Sequence, residues 1–503
     1  MKIKISFVLF VIILSFFVVV SFRNMVTLPF SEFDEANRAD GARNMVKFSY
    51  LWAPVTGSPF FRRDDLSIEY NKNSNVYIHL ERNPLVFWTM GFFSKIFGDK
   101  EISYRLPSFL FGVGTVALLF KILSKKSYLL ALISILPILF SYDWWMSCQM
   151  AHLDTALTFF LTLALVLLIN KKNGNNWWLI SISIWLAFLS KGQMLVFLMT
   201  PLLLALVFKK INLETLIKIS LLSLVLIIIS LIPVFINHGF RLWFDNYVLE
   251  LLQNRAVNND VSQVAPMWWY GYWWLFSFRW GVFLFVPLVI YDFVSKKIDK
   301  GKIIILAYIA INFIIMSYMK NKVWWYVMPL MPGVCVYIYQ SMVGIKRQGK
   351  FKNILLVILI SSLPLFWGIE ISLKRVVAYS ALIIFINSLV LIKNFKVKNF
   401  EKWLFVPIIL LSAISFYKKF PKPSASFPEV KRLLTGIDLS QVCLFVESMP
   451  YEGVMYYSEA GEINYWQTKV KENCQNYLVS PNYFEFEKIK EIDRLKLYKI
   501  NAI

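Results

Sequence analysis

The chain has 503 residues, 58% of them hydrophobic and 17% aromatic, with a mean hydropathy of +0.57; a soluble globular chain is ordinarily less than half apolar, so that class is excluded. Its formal charge of +22 is carried mainly by lysines in short loops between apolar runs, which marks membrane topology and excludes a nucleic-acid footprint.

Residues 5–22 form the first apolar run. Lys2 and Lys4 precede it as in a signal peptide, but the run is long for a signal core and no A-x-A-like site follows, so it reads as a retained helix. Further runs reach or approach the ~18–20 residues that cross a bilayer. They occupy 106–123, 127–143, 155–170, 177–190, 193–208, 216–236, 268–292, 303–319, 323–343, 353–369, 376–392 and 403–417. Together they predict about thirteen spans, an odd number that puts the termini on opposite sides. Alternate short loops carry Lys125 and Lys126, Lys171 and Lys172, Lys209 and Lys210, then Lys296 to Lys302, Lys346 to Lys352 and Lys393 to Lys402. The positive-inside rule places these loops and the N-terminus in the cytoplasm. The loop 23–105, the polar region 237–267 and the tail 418–503 then face outside.

The first outer loop is too long for a simple connector. Residues 34–48 have helix-forming composition, 54–76 read as an exposed loop, and 84–97 form an apolar aromatic stretch too short to span, expected at the interface. The tail alternates apolar runs, VCLFVE and LKLYKI, with polar segments, which predicts a small mixed α/β domain over 418–503 beside a membrane domain over 1–417. The expected fold class is an all-α polytopic membrane protein with that small C-terminal domain outside. Cys148 and Cys335 read as packing residues; Cys443 and Cys474 lie where oxidation is permitted, so a disulfide between them stays open. His79, His152 and His238 have no metal-ligand spacing. No cofactor is expected, though a divalent metal held by residues the fold brings together stays open.

Ionisable residues recur at the outer ends of the spans. Asp34 and Glu35 follow the first helix; His152 and Asp154, Lys191, and Lys320 and Lys322 with Trp324, Trp325 and Tyr326 follow later ones. Outer lysines run against the charge rule and need another reason. Two readings stand: they snorkel or pair with nearby acids, or they line a common cavity. A cationic cavity beside carboxylates suits a phosphate-containing ligand.

The order DEA…ARNM…ERNPLVFW…FG…E…RLPS resembles the GT-C-fold glycosyltransferases that use polyprenyl-phosphate sugars, in particular the bacterial aminoarabinose transferases of lipid A and their cousins, the protein O-mannosyltransferases. Asp34 and Glu35 match the first-loop acidic motif, Arg43 and Met45 the next helical turn, and Glu81, Arg82 and Pro84 a Glu-Lys-Pro-Pro segment. Arg105 to Ser108, His152 to Asp154, Ser190 to Gly192 and Lys322…Tyr326…Pro329…Pro332 match later motifs, so the resemblance runs through most of the chain. It departs where Asn37 and Arg38 replace Arg and Tyr, Arg82 replaces Lys and Asn83 replaces the first Pro.

The resemblance implies an inverting transfer of a sugar from an undecaprenyl-phosphate-type donor to lipid A, another glycolipid or a protein, in a bacterial inner membrane. It implies Asp34 as the central catalytic carboxylate, Asp154 as a second catalytic or orienting one, and Glu35 as electrostatic support. Arg38, Arg43, Arg82, Lys191 and Lys322 are the expected phosphate-side cations, with Glu81 and Tyr326 beside the substrate. Bland roles compete: Asp34 and Asp154 as helix N-caps, Tyr326 as an interfacial aromatic, and the Trp-rich stretch 268–280 as an aromatic belt. A transporter or flippase is the alternative of another class; it would place its binding residues near the midplane and show repeats, and neither is evident.

Overall fold

The computed structural model describes residues 5–28, 30, 33–56, 68–71, 76–80, 82–169, 176–249, 265–320, 322–347, 353, 357–358, 360–361, 373–392, 433–434, 442–446, 462–465, 475–480, 487–492 and 495–500. The first helix, α1 (Ile5–Thr27), runs past its predicted end at residue 22. One side packs inward, with Phe10 stacked on Phe120 at 3.8 Å and Phe17 buried against Phe140 and Trp145. Ile5, Ile12 and Val19, spaced by seven, stay exposed as a lipid-facing stripe.

α2 (Phe33–Lys47) is polar in sequence, yet nearly all of it is buried. Ala36, Ala39 and Ala42 allow close approach, and it packs against β1 (Val55–Thr56) and α3 (Leu85–Phe97). A polar helix can be enclosed only if its side chains satisfy one another. Asp34 pairs with Arg38, Asp40 with Arg43 and Asn44, and Glu35 with Arg105. Asn37 is the exception, both polar atoms of its amide lacking a partner among the described residues. The segment read as an exposed loop over 54–76 contributes to a small antiparallel sheet: β3 (Val76–Ile78) lies between β1 and β2 (Ile68–Asn71). Such short strands carry little periodic signal.

The membrane helices follow the predicted runs, with breaks the runs did not reveal. α4 (Glu101–Leu123) packs on α5 (Tyr128–Leu139), α6 (Tyr142–Gln149) and α7 (Asp154–Ile169). The predicted span 127–143 is in fact the pair α5 and α6, bent by 70°. Pro137 lies near the break, and Ser141 caps α6 by accepting from the N–H of Trp144. Gly112 is what lets α4 meet α6: a Cβ there would stand 2.2 Å from Cys148 Sγ. α8 (Trp177–Lys191) ends in a 3-10 turn, Gly192–Leu195, before α9 (Val196–Val207) and the long α10 (Leu213–His238). α11 (Phe240–Phe244) continues into a π turn, Asp245–Leu249.

The predicted span 268–292 is likewise two helices, α12 (Trp269–Ser277) and α13 (Arg279–Val294), at 111°. α14 (Lys300–Tyr318) precedes a 3-10 segment, Trp324–Leu330, that leads into α15 (Met331–Arg347); α16 (Leu373–Ile392) packs on α13. Five helical segments among the described residues are long and apolar enough to cross a membrane, or seven if each bent pair is one span. The predicted span 403–417 and most of 353–369 lie outside the described residues. Near the C-terminus, β4 (Val442–Val446), β5 (Glu462–Tyr465), β6 (Gln475–Ser480), β7 (Glu487–Ile492) and β8 (Leu495–Ile500) form a mixed sheet in the order β5-β4-β6-β8-β7. β4 runs parallel to both β5 and β6, and β8 antiparallel to β6 and β7. Of the cysteine pair left open above, Cys474 lies outside the described residues; Cys148 and Cys335 are free and buried, as packing residues would be.

Candidate active site

One end of the bundle gathers the start of α2, the connection from α6 to α7, the C-terminus of α8 and the 3-10 segment that starts at Trp324. Its foundation is an ion pair with no solvent exposure. Arg105 Nε and Nη2 donate to the two oxygens of Glu35 at 2.6 and 3.0 Å, and Arg105 Nη1 donates to the carbonyls of Met25 and Leu28. Glu35 also accepts the N–H of Ala151 at 3.2 Å. Four segments are thereby joined through one pair. The hydroxyl of Ser108 donates to the carbonyl of His152 and accepts its N–H, which pins the α6–α7 connection to α4.

On this base stand the charged side chains. Arg38 donates to Asp34 at 2.7 Å and to the carbonyl of Ala151 at 3.1 Å. Asp34 sits inside the first turn of α2, a third of its side chain exposed, with its carboxylate turned to Arg38. Lys191 Nζ donates to Asp154 Oδ1 at 2.8 Å, both side chains being buried, and lies 4.3 Å from the ring centre of Tyr326. Asp154 Oδ2 has no partner among the described residues. Asp154 thus faces a cation, in a geometry different from the N-cap alternative. His152 lies edge-on to Trp325 at 4.8 Å and over Trp324 at 5.7 Å. Burial, reinforced by the charges of Arg38 and Lys191, holds its imidazole well below the ordinary value, so it is neutral.

Lys322 is buried on the same segment as Tyr326, and its ammonium donates to the carbonyl of Met319. It has no carboxylate partner among the described residues, and burial lowers its pKa from the ordinary lysine value. The segment is held by Tyr270, whose hydroxyl donates to the carbonyl of Val323 at 3.1 Å.

The other expected residues are placed elsewhere. Arg43 pairs with Asp40 at 2.8 Å and approaches Asp99 at 3.9 Å, in a network that joins α2 to the start of α4. Arg82 lines a small cavity with Trp52, Asn83, Trp243 and Tyr247. Glu81 lies outside the described residues. Part of the Trp-rich stretch is packed inward: Tyr270, Trp274 and Trp280 are buried, while Trp268 is exposed. Trp273 donates to Asp143 at 2.7 Å. Asp143 escaped the sequence reading, although a carboxylate inside the apolar run SYDWW is itself a signal. Among the described residues no three of His, Cys, Asp or Glu converge as a metal site would require.

Residues 81–236 match the family model of dolichyl-phosphate-mannose-protein mannosyltransferase. A protein of Aquifex aeolicus (strain VF5), described as uncharacterized, is 25% identical over 343 residues, which are 67% of this chain and 63% of that protein's length. Among solved structures, ArnT from Cupriavidus metallidurans bound to undecaprenyl phosphate superposes with a TM-score of 0.71 at 13% identity, over 97% of each chain. The Archaeoglobus fulgidus oligosaccharyltransferase in the apo form gives 0.53 at 12% identity, over 94% of this chain and 69% of that one. The chain has the GT-C fold of ArnT, and within it residues 81–236 are similar to the mannosyltransferase family model.

Proposed function

We propose that the chain is an inverting glycosyltransferase that moves a sugar from a polyprenyl-phosphate donor, undecaprenyl phosphate in a bacterial inner membrane, to lipid A or another glycolipid. The lysine-rich loops lie in the cytoplasm in this reading; the carboxylate–lysine cluster and the C-terminal sheet lie on the outer face. The observation that carries the reading is Lys322, a buried ammonium without a carboxylate partner among the described residues, on the segment that also brings Tyr326 to Lys191. Such a group favours an incoming anion, and a phosphate would stabilise its charged form.

In the reaction, an acceptor oxygen forms a bond to the anomeric carbon as the bond from that carbon to the donor's phosphate oxygen breaks. The electron pair leaves with the polyprenyl phosphate, and Lys322 and Lys191 stabilise the developing charge. Asp154 orients Lys191. Asp34, partly exposed beside Arg38, meets the acceptor. A phosphate acceptor is already a nucleophile; a hydroxyl acceptor gives its proton to the carboxylate as the bond forms. The scheme invokes no metal or other cofactor.

The second reading, transfer to a protein hydroxyl, is favoured by the family match over 81–236, which includes Asp154 and Lys191. Transfer of labelled sugar from a polyprenyl-phosphate donor in proteoliposomes, with mass spectrometry of lipid A and envelope proteins from cells with and without the chain, decides between them. Sugar on lipid A that vanishes with the gene supports the first reading, and loss confined to glycoproteins supports the second. No release of sugar from the donor overturns both. Asp34→Asn keeps size and helical compatibility, so a collapse of transfer with unchanged expression is expected; full activity there with loss in Asp154→Asn would move the essential carboxylate to Asp154.

A further inference from the structure

α13 and α14 follow each other in the chain, yet an open apolar groove separates them. α13 packs on α5, α15 and α16, and α14 on α9 and α15. The stretch of groove next to α12 encloses about 550 Å³ and has Val334 of α15 in its lining. Trp274 stands at its far end, with its ring centre 5.0 Å from that of Phe313 and 5.5 Å from that of Phe278. No charged residue lines this stretch. The other stretch, about 650 Å³, shares Phe293, Leu306 and Ala310 with the first and ends at Lys296 and Ile298. Both volumes fall in the range of small-molecule sites, about 300–1,000 Å³. Phe293 and Ile314 line the groove and are 62% and 53% exposed, so no described segment covers them.

The groove is charged at one end only. Lys296, Lys297 and Lys300 are exposed there, and none forms an ion pair among the described residues. The two nearby carboxylates are engaged. Asp299 caps α14 by accepting the N–H of Lys302 at 3.0 Å. Asp292 Oδ2 accepts from Lys302 Nζ at 2.7 Å, from the Tyr337 hydroxyl at 3.0 Å and from the Ser341 hydroxyl. Lys302 thus balances the charge of Asp292, and the three exposed lysines leave this end positive. Lys296 holds a φ of +52°, a left-handed conformation that only glycine adopts without steric cost. The chain nevertheless carries a lysine at this turn, and that lysine lines the groove.

We propose that the groove binds one anionic phospholipid, with its phosphate at Lys296 and an acyl chain laid between α13 and α14 towards Trp274. Exposed lysines at a membrane edge attract anionic head groups, and the uncharged stretch beyond them suits only a hydrocarbon chain. Lys322, assigned above to the donor's phosphate, follows the opposite end of α14. The 19 residues of that helix span about 28 Å, close to the hydrocarbon thickness of a bilayer. A phosphate at Lys296 therefore belongs to a second lipid, in the leaflet opposite the donor's head group. The site itself stands on the groove and its lysines, whatever reaction the chain performs.

The test uses the full chain in phosphatidylcholine nanodiscs that contain phosphatidylglycerol with a photoreactive acyl chain, and crosslinked peptides are mapped by mass spectrometry. Crosslinks are expected on the facing stretches of α13 and α14, and unlabelled phosphatidylglycerol should compete where phosphatidylcholine does not. A lysine beside an anionic head group contributes about fivefold in affinity, so Lys296→Gln should lose about that much. Lys296→Gly should lose as much without lowering the melting temperature of the detergent-solubilised protein, because glycine relieves the positive φ. Ala310 is exposed, so Ala310→Trp should fold, fill the groove and remove the crosslinks. Equal competition by phosphatidylcholine, or unchanged yields in both Lys296 variants, overturns the inference and leaves the groove to bulk lipid. Competition by undecaprenyl phosphate that persists in Lys296→Gln also overturns it, and gives the groove to the donor's tail.

Discussion

Two residues of the site separate binding from support. Lys322 begins below the ordinary lysine pKa because it is buried, and a bound phosphate favours its charged form. Binding of undecaprenyl phosphate should therefore be tightest at a pH where the free ammonium is still protonated, and should fall as the pH rises through that lowered pKa. Lys322→Met should bind weakly and lose this alkaline dependence; titration of binding from neutral pH upward checks both. Glu35 is the opposite case. Its carboxylate is fully buried and already accepts two bonds from Arg105 and one from the Ala151 N–H. Removing one partner of a buried ion pair costs about 3–5 kcal/mol. Glu35→Gln and Arg105→Met should thus lower the yield of monodisperse protein and its melting temperature far more than activity per folded molecule. A loss of turnover at unchanged stability would instead make Glu35 a catalytic carboxylate.

The helices meet closely where small residues permit it. At Gly112 of α4 a methyl group would collide with Cys148 Sγ of α6, whose own backbone continues towards Ala151 and His152. Overpacking of this kind costs about 1–3 kcal/mol. Gly112→Ala should lower the melting temperature of the detergent-solubilised protein, and adding Cys148→Ala should recover most of it. If the double variant is no better than Gly112→Ala alone, the contact is not what limits the packing. The bends between α5 and α6 and between α12 and α13 matter for the same reason. They turn α6 and α12 across the bundle, so that Asp143 of one meets Trp273 of the other and Tyr270 holds the Lys322 segment.

For the whole molecule, the charge asymmetry of the loops predicts the side on which the site lies. Cysteines introduced at Ser67 and Ser424 should react with an impermeant thiol reagent applied to the outside of intact cells, whereas one at Asn173 should react only after the membrane is opened. Labelling of Asn173→Cys from outside, with silence at Ser67→Cys, would place the carboxylate–lysine cluster in the cytoplasm and remove the outer-face acceptors.

The sequence by itself determined the class and most helix positions, and it singled out several of the charges that the fold gathers. Apolar runs of bilayer length have few alternatives to helix, because the backbone must satisfy its own hydrogen bonds in lipid. Charges at the ends of such runs stand out against a hydrophobic background, which is why Asp34, Asp154, Lys191 and Lys322 were legible. Tertiary structure alone decided how those charges pair. Asp34 has Arg38 one turn away, but Asp154 takes Lys191 from 37 positions along the chain and Glu35 takes Arg105 from 70. Arg43 and Arg82 looked equivalent to Lys191 as cations, yet Arg43 is taken up by Asp40 and Arg82 lines a separate cavity. The bends at residues 140 and 278 left no mark in hydropathy, since both arms of each are apolar. Nor could the polar composition of residues 33–47 reveal a helix that is mostly buried, because burial of a polar helix depends on whether other segments supply partners, and those segments meet it only in the fold.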